Sequence, residues 1–155
     1  GAGASSTTTI AGDLSVTGTN LDAMQRTIYV NFPAATSNRQ KRPTLLLDYQ
    51  ESAYTAFFAP THLSSVSSAF LWCEPDATSN YWDIIVETHT SASGEDLNNQ
   101  GDSYAFYGTV TADKMNRVTI TDAFTNVSGG DHVAIRVYND ESSNDLFVYG
   151  IEINY

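Results

Sequence analysis

Two alternating apolar runs constrain the fold of this chain more than any other feature. In the first, Val133, Ile135 and Val137 fall on one side of a strand. In the second, Phe147, Tyr149, Ile151, Ile153 and Tyr155 do the same. Strand side chains point to opposite faces with a period of two, so each run reads as a half-buried strand of an antiparallel sheet. The acidic stretch between them, with Asp140, Glu141 and Asp145, reads as the connecting loop.

The alternation recurs upstream. Trp82, Ile84 and Val86 alternate with Asp83, Ile85 and Glu87, which places Trp82 inside. Leu45–Leu47, Tyr54–Phe58, Val66–Cys73, Tyr104–Val110 and Val118–Thr121 read as further strands. Turn-rich segments separate them: Pro60, residues 74–80, the polar stretch 91–102 and Ser128-Gly-Gly-Asp131. The stretch 33–43 holds two prolines and the cluster Arg39, Lys41 and Arg42, and reads as a surface loop. A single helical turn capped by Asn20 is expected over 20–26. Many short strands, long loops and no ten-residue helical pattern predict an all-β fold. The expected architecture is an antiparallel β-sandwich of the jelly-roll type with a short extended N-terminal oligomerisation segment.

Residues 1–19 are expected to form an extended linker or stalk, and residues 20–155 the jelly-roll domain. The first nine residues are a Gly/Ala/Ser/Thr tract with nothing to bury. Next come Ile10, Leu14 and Val16 around a Gly-Asp turn signal. A two-stranded piece of this size is marginal in water alone. Three copies arranged around one axis would bury its apolar face, so these three residues are the expected oligomer contacts.

The chain carries seven basic and eighteen acidic residues, a formal net charge of −11. Such a field repels phosphate, which argues against nucleic acid and anionic membrane as partners. Cys73 is the single cysteine, so no intrachain disulfide forms, and its apolar neighbours predict a buried, inert thiol.

Chemistry-bearing motifs are sparse. His62, His89 and His132 stand far apart in sequence, without metal-ligand spacing. There is no Gly-x-Ser-x-Gly elbow and no phosphate-cradling glycine loop. No catalytic residue and no dedicated metal site is expected. Two loop clusters, Glu95 and Asp96 with Asp102 and Asp140 and Glu141 with Asp145, leave a loop calcium open, although neither matches an EF-hand. Asn126-Val-Ser128 fits the glycosylation acceptor pattern. Tyr81 and Tyr107 lie off the inward register and are the candidate ligand-facing aromatics.

The C-terminal half resembles a jelly-roll module found at the ends of structural proteins of tailed bacteriophages. The likeness rests on Gly130-Asp131, Val133-Ala-Ile-Arg136-Val137-Tyr138 and the closing phrase Val148-Tyr-Gly150-Ile151-Glu-Ile153-Asn-Tyr155. Trp82-Asp-Ile-Ile-Val86 and Gly101-Asp-Ser-Tyr-Ala-Phe106 extend it upstream. Gly12-Asp-Leu-Ser-Val-Thr-Gly18 is similar to the stalk phrases of phage fibres. The resemblance implies a virion structural protein at the particle surface: a decoration protein, head fibre, spike or fibre tip. It implies a homotrimer that contacts a capsid, tail or fibre protein of the same particle, with a host-surface glycan as a further partner. It carries over no catalytic residues, so the expected mode of action is binding. Two alternatives stay open: a secreted carbohydrate-binding module, and a jelly-roll glycoside hydrolase or lyase.

Overall fold

The computed structural model describes residues 26–32, 37–39, 42–96, 100–141 and 144–155. Ile10, Leu14, Val16 and the whole proposed stalk lie outside the described residues. Of the helical turn expected over 20–26, only Arg26 is described. It exchanges two backbone hydrogen bonds with Tyr155, each 2.9 Å.

Ten strands are found among the described residues: β1 (Thr27–Val30), β2 (Ser37–Arg39), β3 (Arg42–Leu47), β4 (Ser52–Phe58), β5 (Ser68–Pro75), β6 (Ser79–Ser91), β7 (Gln100–Val110), β8 (Asn116–Thr119), β9 (His132–Asn139) and β10 (Leu146–Asn154). A 3-10 turn spans Thr121–Phe124. No helix among these residues is long and apolar enough to cross a membrane. One sheet runs β2-β3-β10-β5-β8, with β1 also on β10; the other runs β4-β9-β6-β7. Every pairing is antiparallel. The strands from β3 to β10 thus fill two four-stranded sheets in the orders 3-10-5-8 and 4-9-6-7, which is the jelly-roll wind.

The core lies between the sheets. Trp82, Ile84 and Val86 from β6 and Val133, Ile135 and Val137 from β9 face Ala69, Leu71 and Cys73 from β5 and Leu146, Val148, Ile151 and Ile153 from β10. All are at most 1% exposed. Burial pushes the Cys73 thiol up to about 12, so it is a core atom rather than a reactive one. Polar residues are buried beside them, and the least exposed is Asn139. Asn139, fully buried, accepts the Trp82 indole N–H at 3.2 Å and donates to the carbonyls of Leu47 at 3.1 Å and Asn144 at 2.9 Å.

Four expectations need correction. The alternation of Phe147 and Tyr149 with Ile151 and Ile153 is broken, because β10 shifts register against β5 between Val148 and Gly150. The irregularity changes the phase, so Leu146 and Val148 point inward with Ile151 and Ile153, and Phe147 and Tyr149 lie outside the core cluster. Stretch 33–43 is not all loop. Ser37–Arg39 and Arg42–Thr44 pair as a hairpin, and Pro43 is tolerated because β10 reaches only as far as Leu45 along that strand. The turn expected over 74–80 narrows, since β5 runs to Pro75 and β6 begins at Ser79. The polar stretch 91–102 also shrinks: Thr88, His89 and Thr90 pair with Asp102, Gly101 and Gln100, because backbone ladders form regardless of side-chain polarity.

Two substitutions probe this arrangement. Val148→Asp would bury a lone charge at a cost of several kcal/mol and abolish cooperative unfolding, while Tyr149→Ser leaves a folded chain. Unbroken alternation predicts the reverse, and urea denaturation followed by circular dichroism separates the two. Asn139→Ala strands the Trp82 N–H and two carbonyls and costs about 2–3 kcal/mol in the same measurement.

Candidate functional site

No described element covers the outer face of the β4-β9-β6-β7 sheet, and its register determines which side chains meet there. Tyr54 on β4 lies opposite Arg136 on β9, which lies opposite Glu87 on β6. The adjacent row holds Ser52, Tyr138 and Ile85, and the row beyond brings Asp83 opposite Tyr107 on β7. With strands about 4.8 Å apart and a rise of about 3.3 Å per residue, Tyr54, Tyr138 and Tyr107 form a diagonal roughly 20 Å long. Tyr54 and Tyr107 are each 65% exposed. At the far end of the face, Phe58 stands edge-on to His132 with centroids 5.0 Å apart.

The centre of the face is held in place. Arg136 Nη1 reaches Glu87 Oε2 at 2.9 Å, and its Nε donates to Ser52 Oγ at 2.9 Å. The guanidinium carbon sits 4.7 Å from the centroid of the Tyr138 ring. The Glu87 hydrogen bond raises the Arg136 pKa further, so this charge is permanent. A half-exposed ion pair of this kind adds little stability. Its effect here is positional: it fixes a charged, hydrogen-bonding centre between aromatic rings, the mixture that orients a polar ligand on an apolar platform.

Tyr81 and Tyr107, the two aromatics singled out in the sequence, lie toward the same end of β6 and β7. Tyr81 projects where β6 loses register with β7 and is 78% exposed. Tyr107 hydrogen-bonds the Asp83 carboxyl, whose pKa is pushed up by burial and by Asp140 despite that bond. Tyr54, Tyr138, Arg136 and Glu87 were not singled out. Their signal was their phase: each lies one residue off the buried set Ala53, Val137 and Val86.

The loop carboxylates serve other ends. Both oxygens of Asp102 are engaged by the turn at 125–126, accepting Thr125 Oγ1 at 2.6 Å and the Asn126 backbone and side-chain N–H groups at 2.9 Å. Glu95 accepts the Ala92 N–H. Asp145 is held above its ordinary value by burial and by Asp48 and Asp76, the acidic side chains around it. Among the described residues no three His, Cys, Asp or Glu side chains are placed to hold a metal ion. The histidines stay apart in role: His132 on Phe58, His62 with its ring centroid 5.7 Å from that of Tyr155.

No protein-family model matches the chain, and no curated protein matches it in sequence. Similar solved structures include a family two carbohydrate esterase from Cellvibrio japonicus, 10% identical with a TM-score of 0.46 over 84% of this chain. This chain covers 33% of that esterase, about a third of its length. Another is the carbohydrate-binding module CBM36 in complex with calcium and xylotriose, 14% identical, TM-score 0.46, over 83% of this chain and 98% of that one. A third is the CBM36-1 domain of a multidomain xylanase from the hindgut metagenome of Trinervitermes trinervoides, 12% identical, TM-score 0.44, over 83% and 96%.

The titrations set an expected pH profile. Asp83 and Asp145 hold their protons more tightly folded than unfolded, so their contribution is fully present below 3.8 and is lost as pH rises through the folded values. Glu152 is lowered by its Arg117 hydrogen bond, so its contribution is present above 4.5 and lost as pH falls through its folded value. The melting temperature should therefore rise on acidification as Asp83 and Asp145 take up protons above pH 3.8, and fall again as Glu152 is protonated below pH 4.5. Asp145→Asn flattens the first limb in differential scanning calorimetry.

Proposed function

We propose that this chain is a non-catalytic module of a tailed-phage particle surface that contacts saccharide through the outer face of the β4-β9-β6-β7 sheet. The observation that carries the binding part is the tyrosine diagonal of exposed Tyr54, half-buried Tyr138 and exposed Tyr107 around the fixed Arg136–Glu87 pair. Large aromatic surface left in water costs solubility, and a contiguous display of it marks a contact site. Flat rings suit the C–H faces of sugar rings, and the hydroxyls of Ser52 and the tyrosines with the Arg136–Glu87 pair suit their hydroxyl groups. The net charge of −11 selects neutral saccharides over anionic ones.

The particle setting is supported by the sequence phrases quoted above, from Trp82 to Tyr155 and from Gly12 to Gly18. Under this reading three chains associate through Ile10, Leu14 and Val16, and each trimer presents three copies of the platform to a cell surface or a neighbouring particle protein. Weak single contacts then add by multivalency. A secreted carbohydrate-binding module would use the same platform as a monomer.

Two measurements test this. Light scattering behind size-exclusion chromatography should give a trimer for the full chain and a monomer for a chain starting at residue 20. Monomers in both cases remove the particle reading and leave the secreted one. On an array of neutral glycans, Tyr54→Ala and Tyr107→Ala should each weaken binding by about tenfold with unchanged melting. Binding that ignores both substitutions excludes this face.

A further inference from the structure

The opposite sheet carries a second aromatic feature. β10 pairs with β1 from Ile151 onward and with β3 up to Val148, so its edge partner changes around the bulge. At that change a cleft of about 160 Å³ opens, lined by Tyr29, Asn31, Trp72, Tyr149, Gly150 and Ile151. Gly150 is required there, because a side-chain carbon would come within 2.9 Å of the Val30 carbonyl.

Its polar handles are already committed. The Trp72 indole N–H donates to Glu152 at 2.9 Å, and the Tyr149 hydroxyl donates to Glu74 at 2.6 Å. Donation to a carboxyl oxygen enriches each ring in electrons and strengthens the negative potential of its face. Glu152 titrates below its ordinary value, chiefly through Arg117, so its charge persists across the neutral range. This surface already holds one cation: the Arg117 guanidinium lies 3.3 Å from the Phe70 centroid and 5.7 Å from that of Trp72.

A sugar fits this cleft poorly. Its hydroxyls need several partners, and beyond donors that are already spent the lining adds only the Asn31 amide and the exposed Tyr29 hydroxyl. A cation bearing methyl groups needs no hydrogen bonds, only π faces and nearby negative charge. The carboxyls behind two of the three rings polarise them, Glu152 being shared with Arg117, and the net charge of −11 supplies the attracting field. We propose that the cleft of Tyr29, Trp72 and Tyr149 binds a quaternary ammonium group of the choline type. The site is separate from the saccharide platform and does not rest on it.

Tryptophan emission reports on it directly, since Trp72 lines the cleft and Trp82 is fully buried. The full chain is titrated with choline and with its uncharged carbon isostere, in which a tert-butyl group replaces the trimethylammonium. Choline should give a saturable change, and the isostere should bind at least about tenfold more weakly. Tyr29→Ala, at a 70% exposed position, should weaken choline at least about fivefold without altering the melting temperature. A phosphocholine arm separates sources: tighter binding than choline indicates a head group whose phosphate meets Arg117, and weaker binding indicates the free cation. Equal binding of the isostere, a response that survives Trp72→Phe, or no saturation by about 100 mM choline overturns the inference. A chain that binds saccharide but ignores choline does the same while leaving the proposed function standing.

Discussion

One buried amide ties the two sheets together. Asn139 ends β9 in the first layer, yet its side-chain N–H groups reach the end of β3 and the approach to β10 in the second. Its oxygen takes the indole proton of Trp82, the largest fully buried side chain. An unpaired amide in that position would lose its hydration without replacement, so the sheets are stable only where all three partners coincide. That condition fixes β9 along its length. With β9 fixed, Arg136 has no choice but to face Glu87 on one side and Tyr54 on the other. The outer platform is therefore a consequence of the inner register, two residues to a row.

The two outer faces use this rigidity differently. On the β9 side, the charged pair spans two strands beside the Tyr138 ring, with the rings of Tyr54 and Tyr107 exposed at the margins. On the β10 side, Arg117, Glu152 and Trp72 form a ladder across three strands, and the rings are turned to serve carboxyl groups. The first arrangement offers hydrogen-bonding groups beside π faces, and the second offers π faces with their protons spent. Similar residue types thus yield two surfaces with different ligand preferences, the difference lying in which polar atoms are already occupied.

Much of this was legible in the sequence. Period-two burial at Trp82, Ile84 and Val86 and at Val133, Ile135 and Val137 is a property of single strands, and it survived folding unchanged. The exposure of Tyr81 and Tyr107 follows from the same phase. What alternation could not carry was the break at Val148–Gly150, since a bulge depends on the partner strand β5 and on the crowding by Val30 that only Gly150 permits. The face of β10 beyond that point, and with it the cleft at Tyr149, was therefore invisible to a pattern read along one strand. The β2–β3 hairpin escaped for a related reason: prolines and cations describe an edge as well as a loop. Asp102 looked like a ligand to a cation because its hydrogen bonds come from residues 125 and 126, more than twenty positions away.

Charge placement binds these observations into one constraint. Asp48, Asp76 and Asp145 come together where the ends of β3 and β5 meet the start of β10, and Asp140 crowds Asp83 at the same end. Burial, and after it their mutual repulsion, holds Asp83 and Asp145 above their ordinary values, a destabilising arrangement that packing has not relieved. The basic groups Arg117 and Arg136 lie instead on the sheet faces, each locked to a glutamate. The loops thus carry much of the negative charge, with Glu95, Asp96, Asp122 and Asp131 at the other end, while Arg117 and Arg136 are paired on the faces. A ligand approaching either face meets paired charges at short range and a negative potential at long range, which favours neutral or cationic groups over phosphate, sulfate or carboxylate. Screening by salt weakens the long-range part within about 8 Å at physiological ionic strength and leaves the face chemistry to decide.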